Sequence, residues 1–277
     1  DAIKMATLNA AECYRLKGKG AIAPGYVADL VVIDNLNDFN IEKVFKNGKL
    51  VAENYKALFD PSIYLPKNLM DSVKIKDVKV ENLQIPMKSS KANVIGVIEG
   101  SLVTERIIEE VKVENAYFTY SDNDILKLVV IERHFATGNI GVGLIKNFKL
   151  KNGAIGSTVG HDSHNMVVVG DNDKDILLAI NELQKIGGGL TLVSKGKVLR
   201  SLPLEIAGIM TSRPIDETNS ILKEMIELSH KELKVNENID PFMTLAFMAL
   251  PVIPKLKLTD MGLFDVEKFE FIDISLE

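Results

Sequence analysis

A single cysteine, Cys13, in 277 residues rules out an internal disulfide and any multi-cysteine metal site, and fits a reducing compartment. Tryptophan is absent, and only four histidines are present. Lys and Arg (33) are outnumbered by Asp and Glu (38), leaving a formal charge of −5 with no basic block. Neither a nucleic acid nor an anionic membrane is therefore expected as a partner. No apolar run reaches the length that spans a bilayer and no secretory leader is visible, so a cytoplasmic location is expected. The P-loop, the G-x-G-x-x-G fingerprint and the G-x-S-x-G elbow are missing. The zinc-deaminase pair of H-x-E and P-C-x-x-C cannot be built from one cysteine.

What is present describes an ordinary globular protein: 46% apolar and 26% charged residues, long enough for more than one domain. The chain opens at Asp1, without Met, directly in a helical pattern, and we expect a piece of a longer protein. Ile3, Ala6, Ala10 and Cys13 recur at helical spacing over Asp1–Leu16, with Asp1 as N-cap, Gly18 and Gly20 as stops, and Cys13 in the core. A turn and a buried strand follow over Gly20–Asp34, and the Asn47-Gly48 turn predicts a hairpin over Val44–Val51, giving a small all-β unit ending near Tyr55. The Pro- and Asn-rich stretch Asp60–Asp71 reads as a domain boundary.

Strands are predicted at Val78–Ile85, Ala92–Ile98, Glu110–Tyr120 and Leu126–Ile131. Alternation in Val111–Tyr120 points to an antiparallel sheet with one wet face. His134–Phe148 is dotted with glycine and reads as a loop followed by a short helix. Helices are predicted after Asp171, ended by Gly187–Gly189, and from Pro214 to about Lys234, with a hairpin over Leu190–Leu202 between them. Pro241–Pro254 is strongly apolar and is expected to be buried or interfacial. The fold class is α+β.

One stretch stands out as a carrier of chemistry. Between the apolar runs Ala154–Val159 and Met166–Val169 lies the polar pentad His161-Asp162-Ser163-His164-Asn165. Five hydrogen-bonding side chains in a row between buried strands are costly unless they are paired or used. Two imidazoles three residues apart can polarise a substrate, move protons near neutral pH or ligate a metal, although an H-x-x-H without a third ligand is weak for the last role. The plain alternative is a polar turn capping its own backbone. Glu132-Arg133-His134, at a strand end before Ala136-Thr-Gly-Asn139, forms a second candidate, in which Arg, His and Asn near glycine could line a ligand pocket, equally explained by a surface strand end with a carboxylate-paired Arg. Asp260 and Asp265, beside Met261-Gly262, and Asp240, before Pro241, are explained by turns and caps.

Several motifs together carry a family resemblance. They are Met5–Glu12, Gly20–Gly25, Ala28-Asp-Leu-Val31, Gly153–Asn165, Gly187–Leu190, Pro203-Leu-Glu-Ile-Ala-Gly208, Asp240-Pro-Phe-Met-Thr244, Leu250-Pro-Val-Ile-Pro254 and Leu258-Thr-Asp-Met-Gly-Leu-Phe-Asp265. In order along nearly the whole chain, they resemble the C-terminal part of the bacterial adenine deaminases of the amidohydrolase superfamily. The stretch Leu69–Lys127 contributes least. The resemblance implies a TIM-like barrel with a divalent metal centre of manganese or iron, where hydroxide attacks C6 of adenine to release ammonia and hypoxanthine in purine salvage. The family's metal-ligand motifs have no counterpart here, so no metal ligand is expected in this chain. The expected layout is the last barrel helix over residues 1–19, part of the small β-sandwich domain over 20–59, and a C-terminal α+β domain with mainly antiparallel sheet over 60–277.

On this reading the substrate is adenine, the partner is the missing N-terminal barrel, a homo-oligomer is expected, and the fragment alone is inactive. Arg133, His134, His161, Asp162, His164 and Asn165 would help enclose the purine. The rival expectation is a non-catalytic structural or oligomerisation domain of the same enzyme, with the pentad a well-bonded turn.

Overall fold

The computed structural model describes residues 1–59 and 67–277, which fall into two compact units, Asp1–Tyr64 and Leu65–Glu277. In the first, α1 (Ala2–Lys4), a π-helical stretch (Met5–Asn9) and α2 (Ala10–Cys13) follow one another, as the helical spacing predicts. Asp1 makes no side-chain cap bond, and Cys13 is exposed instead of lying in the core. Four antiparallel strands follow in the order of the chain: β1 (Leu30–Ile33), β2 (Ile41–Lys46), β3 (Lys49–Glu53) and β4 (Lys56–Ala57). Asn47 and Gly48 turn the β2–β3 hairpin with positive φ at both positions, as a type I′ turn requires. The Asp29 carboxylate binds the ammonium groups of Lys19 and Lys46, which, with the Asn47 N–H, hold it well below the usual carboxylate range.

The second unit is built on one large sheet. Its elements are β5 (Lys91–Val97), β6 (Thr104–Glu110), β7 (Val113–Glu114), β8 (Tyr117–Phe118), β9 (Ile125–Ile131), β10 (Ile140–Lys146), β11 (Gly153–Ser157) and β12 (Met166–Gly170), then α3 (Asp173–Lys185), β13 (Gly189–Ser194), β14 (Lys197–Pro203), α4 (Ile215–Lys231) and α5 (Pro241–Ala246), and finally β15 (Leu256–Thr259), β16 (Gly262–Asp265) and β17 (Glu270–Phe271). Eight strands pair in the order β14-β13-β11-β12-β9-β10-β5-β6, antiparallel except at β10–β5. β15–β17 form a separate small antiparallel sheet.

Both faces of the large sheet are covered along its central strands β9, β11 and β12, whereas the edge strand β6 keeps exposed residues, and Val111–Tyr120, where one wet face is expected, falls on β7 and β8 outside this sheet. Successive residues enter different cores. Val129, Ile131, Ala154, Met166 and Val168 pack with Ile176, Ala179, Ile180 and Leu183 of α3. Their neighbours Leu128, Val130, Ile155, Val167 and Val169 pack with Met225 of α4, Phe242 and Leu245 of α5, and Leu256 and Leu258 of β15. Double coverage explains why these antiparallel strands read as unbroken apolar runs, a pattern usual for parallel sheets.

Three further expectations change. His134–Phe148 holds the strand β10 in place of a loop and short helix. Its glycines belong there because β15 crosses at contact distance: a Cβ on Gly141 would lie 1.9 Å from the Thr259 carbonyl oxygen. Val78–Ile85 is no strand but a 3-10 turn at Val80–Leu83, with Val78, Leu83 and Ile85 buried from irregular backbone. Glu110–Tyr120 is not one strand. β6 ends at Glu110, and β7 and β8 make a small hairpin about Asn115-Ala116, both at positive φ. The Asp60–Asp71 boundary falls outside the described residues except for its last five, which include a 3-10 turn at Lys67–Leu69. Pro241–Pro254 is largely buried, as its apolar content predicts, through Phe242, Leu245, Met248, Ala249 and Leu250, while Met243 and Val252 are exposed. Among the described residues no helix is long and apolar enough to cross a membrane.

Candidate functional site

The pentad sits in the β11–β12 connection, and pairing of β12 with both β11 and β9 carries it to the sheet end where β9 finishes. Glu132, Arg133 and His134 leave β9 at that same end, so the two candidates separated along the sequence meet in space. Arg133 joins them. Only 1% exposed, it donates from Nε to the His164 carbonyl at 2.6 Å and from Nη2 to the carbonyls of Ala207 (3.1 Å) and Thr158 (3.4 Å). His134 Nε2 lies 2.8 Å from the Ser163 carbonyl. The pentad's backbone, not its side chains, is what Arg133 and His134 grip.

Local chemistry makes this possible. Glu132 accepts from the N–H groups of His134, Phe135 and Thr137 and from the Thr137 hydroxyl, folding the chain back at the end of β9. Burial alone would raise its pKa, but these donors bring it below the usual value, so it remains a carboxylate. Burial lowers the Arg133 pKa to about 10, against the pull of Glu132, and the side chain still carries its charge at neutral pH. Gly208, at φ +71°, lies flat against the guanidinium, where a Cβ would stand 2.8 Å from Nη1. The Thr158 hydroxyl donates to the Gly208 carbonyl at 2.6 Å and accepts from the Gly189 N–H at 2.7 Å, tying the segment after β14 to the pentad's strand.

The pentad is divided in its exposure. His161, Asp162 and Ser163 are exposed, His164 is half-buried and Asn165 is buried. His161 donates its N–H to the Ala246 carbonyl at 2.8 Å, sets its ring 5.0 Å from that of Phe247, and places Nδ1 3.1 Å from Asp162. Asp162 and His164 adopt left-handed backbone at φ +62° and +48°. Two buried polar atoms here lack a partner among the described residues: Nη1 of Arg133 and Nδ1 of His164. Burial first, and the Arg133 charge next, lower the His164 pKa, so this imidazole is neutral at pH 7.

Asp260 belongs to this cluster, although its place in a Thr-Asp-Met-Gly turn reads from sequence as purely local. Its Oδ1 accepts from Asn165 Nδ2 at 3.1 Å and its Oδ2 from Asn139 Nδ2 at 3.2 Å. No periodicity links residues 95 apart, and only the crossing of β15 over β10 brings them together. Asp240 keeps the local role that sequence assigns, capping α5, whereas Asp265 accepts from the N–H groups of Glu267 and Lys268 and also reaches beyond its turn to Arg106 Nη1 at 3.3 Å. His161 meets a single carboxylate among the described residues, its neighbour Asp162, and His164 pairs with none. Among the described residues no group of three or more His, Cys, Asp or Glu could hold a metal ion.

Comparison with known proteins agrees with the motif resemblance. The family model of the adenine deaminase C-terminal domain matches residues 101–270. The chain belongs to that family. Residues 1–51 match the amidohydrolase family. Adenine deaminase 2 of Carboxydothermus hydrogenoformans is 52% identical over 99% of this chain and 48% of its own length. The adenine deaminases of Nitratidesulfovibrio vulgaris Hildenborough (45% identical over 99% of this chain) and Halalkalibacterium halodurans (49% over 98%) match across 48% and 47% of theirs. The chain thus spans about half the length of the adenine deaminases it matches. The C-terminal-domain match covers every pentad residue together with Arg133, His134 and Asp260, and all of them lie within the second compact unit.

Proposed function

We propose that this chain is the C-terminal half of a cytoplasmic, homo-oligomeric, metal-dependent adenine deaminase, which converts adenine and water to hypoxanthine and ammonia in purine salvage. The observation that carries this reading is the 52% identity to adenine deaminase 2 over 99% of the chain. Residues 1–19 are its last barrel helix and 20–59 part of its small β-domain. In the intact enzyme a manganese or iron ion held by residues outside this chain would supply Lewis acidity. The described residues here do not form a ligand set, so no step is derived through the ion.

The contribution of this chain is to close over the purine. A purine offers ring nitrogens as acceptors and an amino group as donor, and the pentad end of the sheet has both kinds of group. His134 and His161 stand exposed, and His164, neutral at pH 7, keeps Nδ1 unpaired. Unpaired polar atoms that are otherwise costly to bury favour this over a turn that merely caps itself.

The test is hypoxanthine formation from adenine by the intact protein supplied with Mn(II) or Fe(II). Turnover is expected, and its absence overturns the assigned activity. The 277-residue chain alone is expected to be inactive under the same conditions, and turnover by it would place the metal centre here. His164→Ala in the intact enzyme is expected to lower kcat/KM by more than about tenfold. Unchanged kinetics with lowered stability would reduce the pentad to a structural turn.

A further inference from the structure

We propose that Asp260 is a positioning residue that, with Arg133, clamps His164 from its two sides. The clamp's relevance to catalysis rests on the function proposed above. His164 holds φ +48°, a left-handed conformation uncommon for a non-glycine residue and helped here by its surroundings. The supports are specific. On one side, Arg133 Nε grips the His164 carbonyl at 2.6 Å. On the other, the next residue, Asn165, is 6% exposed and is held through its side-chain amide by Asp260 Oδ1 at 3.1 Å. Asn165 leads straight into β12, so fixing it fixes the point from which the pentad leaves the sheet.

Asp260 itself is well anchored. Its second oxygen accepts from Asn139 Nδ2 at 3.2 Å, just before β10, and the same amide nitrogen lies 3.3 Å from Met261 Sδ. The preceding Thr259 carbonyl presses against Gly141, so the turn carrying Asp260 cannot slide along β10 without a backbone collision. A carboxylate suits the position because both neighbours present N–H donors and it is acceptor-only. An asparagine would offer one acceptor and turn its own N–H groups on the other amide.

The test uses the intact enzyme and two readouts. The first is carbethoxylation of individual histidines by diethylpyrocarbonate, followed by mass spectrometry, which needs no substrate. Asp260→Ala is expected to speed labelling of His164 at least about threefold. His230, on α4 with its Nδ1 near the Val235 carbonyl, is the internal control and should not change. The exchange Asp260→Asn with Asn165→Asp rebuilds a donor–acceptor pair and should return His164 labelling towards the unsubstituted rate, whereas Asp260→Asn alone should not.

Unchanged His164 labelling in Asp260→Ala, equal acceleration at His230, or failure of the exchange to recover the slow rate overturns the clamp. The second readout is kcat/KM for adenine, expected to fall about tenfold in Asp260→Ala and to recover in the exchange. Altered labelling with unaltered kinetics would leave the clamp standing and remove the purine-enclosing role of the pentad.

Discussion

The two ends of the large sheet treat buried polarity in opposite ways. At the end where β9 begins, carboxylates are consumed by backbone. Asp124 accepts from the N–H groups of Asn147 and Lys149, Asp171 from Asn152 and Gly153, and Asp175 from Lys195 and Gly196. Lys127, nearly fully buried, donates to Asp173 at 2.8 Å, and the Tyr120 hydroxyl donates to the same carboxylate at 2.6 Å. Burial, then that carboxylate's charge, push the Tyr120 pKa far up, so its hydroxyl keeps its proton. Two cavities of about 290 and 400 Å³ open here, lined in part by Asp124, Asp171 and Asp175. At the other end, where β9 finishes, an arginine grips three carbonyls and still leaves a donor unpaired, beside a histidine with an unpaired nitrogen.

These two cavities sit beside carboxylates bonded to backbone N–H groups, while the groups that lack a partner among the described residues sit beside a loop with left-handed backbone at Asp162 and His164. A buried polar group left without a partner costs about 1–3 kcal/mol, so its retention points to use where a finished network points to scaffolding.

The sharpest break of this comparison is Arg133→Met. It strips three carbonyls of a charged donor and should lower the unfolding free energy by about 3 kcal/mol or more in urea titration, with loss of adenine turnover in the intact enzyme. A loss below about 1 kcal/mol would mean that the guanidinium is no keystone. Lys127→Met tests the other end. It leaves Asp173 only the Tyr120 hydroxyl and partial access to water, so a smaller loss of about 2 kcal/mol is expected, with kcat/KM unchanged. A large kinetic defect in Lys127→Met would erase the distinction between scaffold end and site end.

A pH titration sharpens the contrast further. Because the folded state lowers the His164 pKa, the unfolded chain takes up the proton first as pH falls through about 6.5, its ordinary value. Stability should thus be present in full above pH 7 and fall as pH drops below 6.5, and His164→Gln should flatten that slope. An unchanged slope would mean that other groups set it. The smallest effect is expected from Asn172→Ala, which removes the side-chain oxygen accepting the Asp175 N–H at the start of α3. Its loss should be about 1 kcal/mol in urea unfolding, with normal kinetics.

Much of this was legible in the residues. The apolar runs Leu126–Ile131 and Met166–Val169, the capped and glycine-stopped helix after Asp171, and the Lys195-Gly196 hairpin all occur where local pattern puts them. The pentad was visible as an uncovered stretch of polarity, and Arg133 with His134 as a second one. That they form a single cluster was not visible, because strand pairing rather than spacing unites them. β10 was hidden by its glycines, which lower strand propensity while serving the close approach of β15. Asp260 was hidden because a turn aspartate looks the same whether it caps its own backbone or reaches another strand.

By itself, the sequence determined the acidic and cysteine-poor character, the α+β class, the family through motifs spread along the chain, and the location of the polar loop. Those properties are local or additive, and each is carried by residues near one another in the chain. Only the tertiary structure decided that both faces are buried along the sheet's central strands, that Arg133 holds the pentad by its backbone, and that Asp260 meets Asn165. These depend on which strands pair and which elements cross, and that is set by the burial of apolar surface summed over the whole unit, a quantity that no short stretch contains.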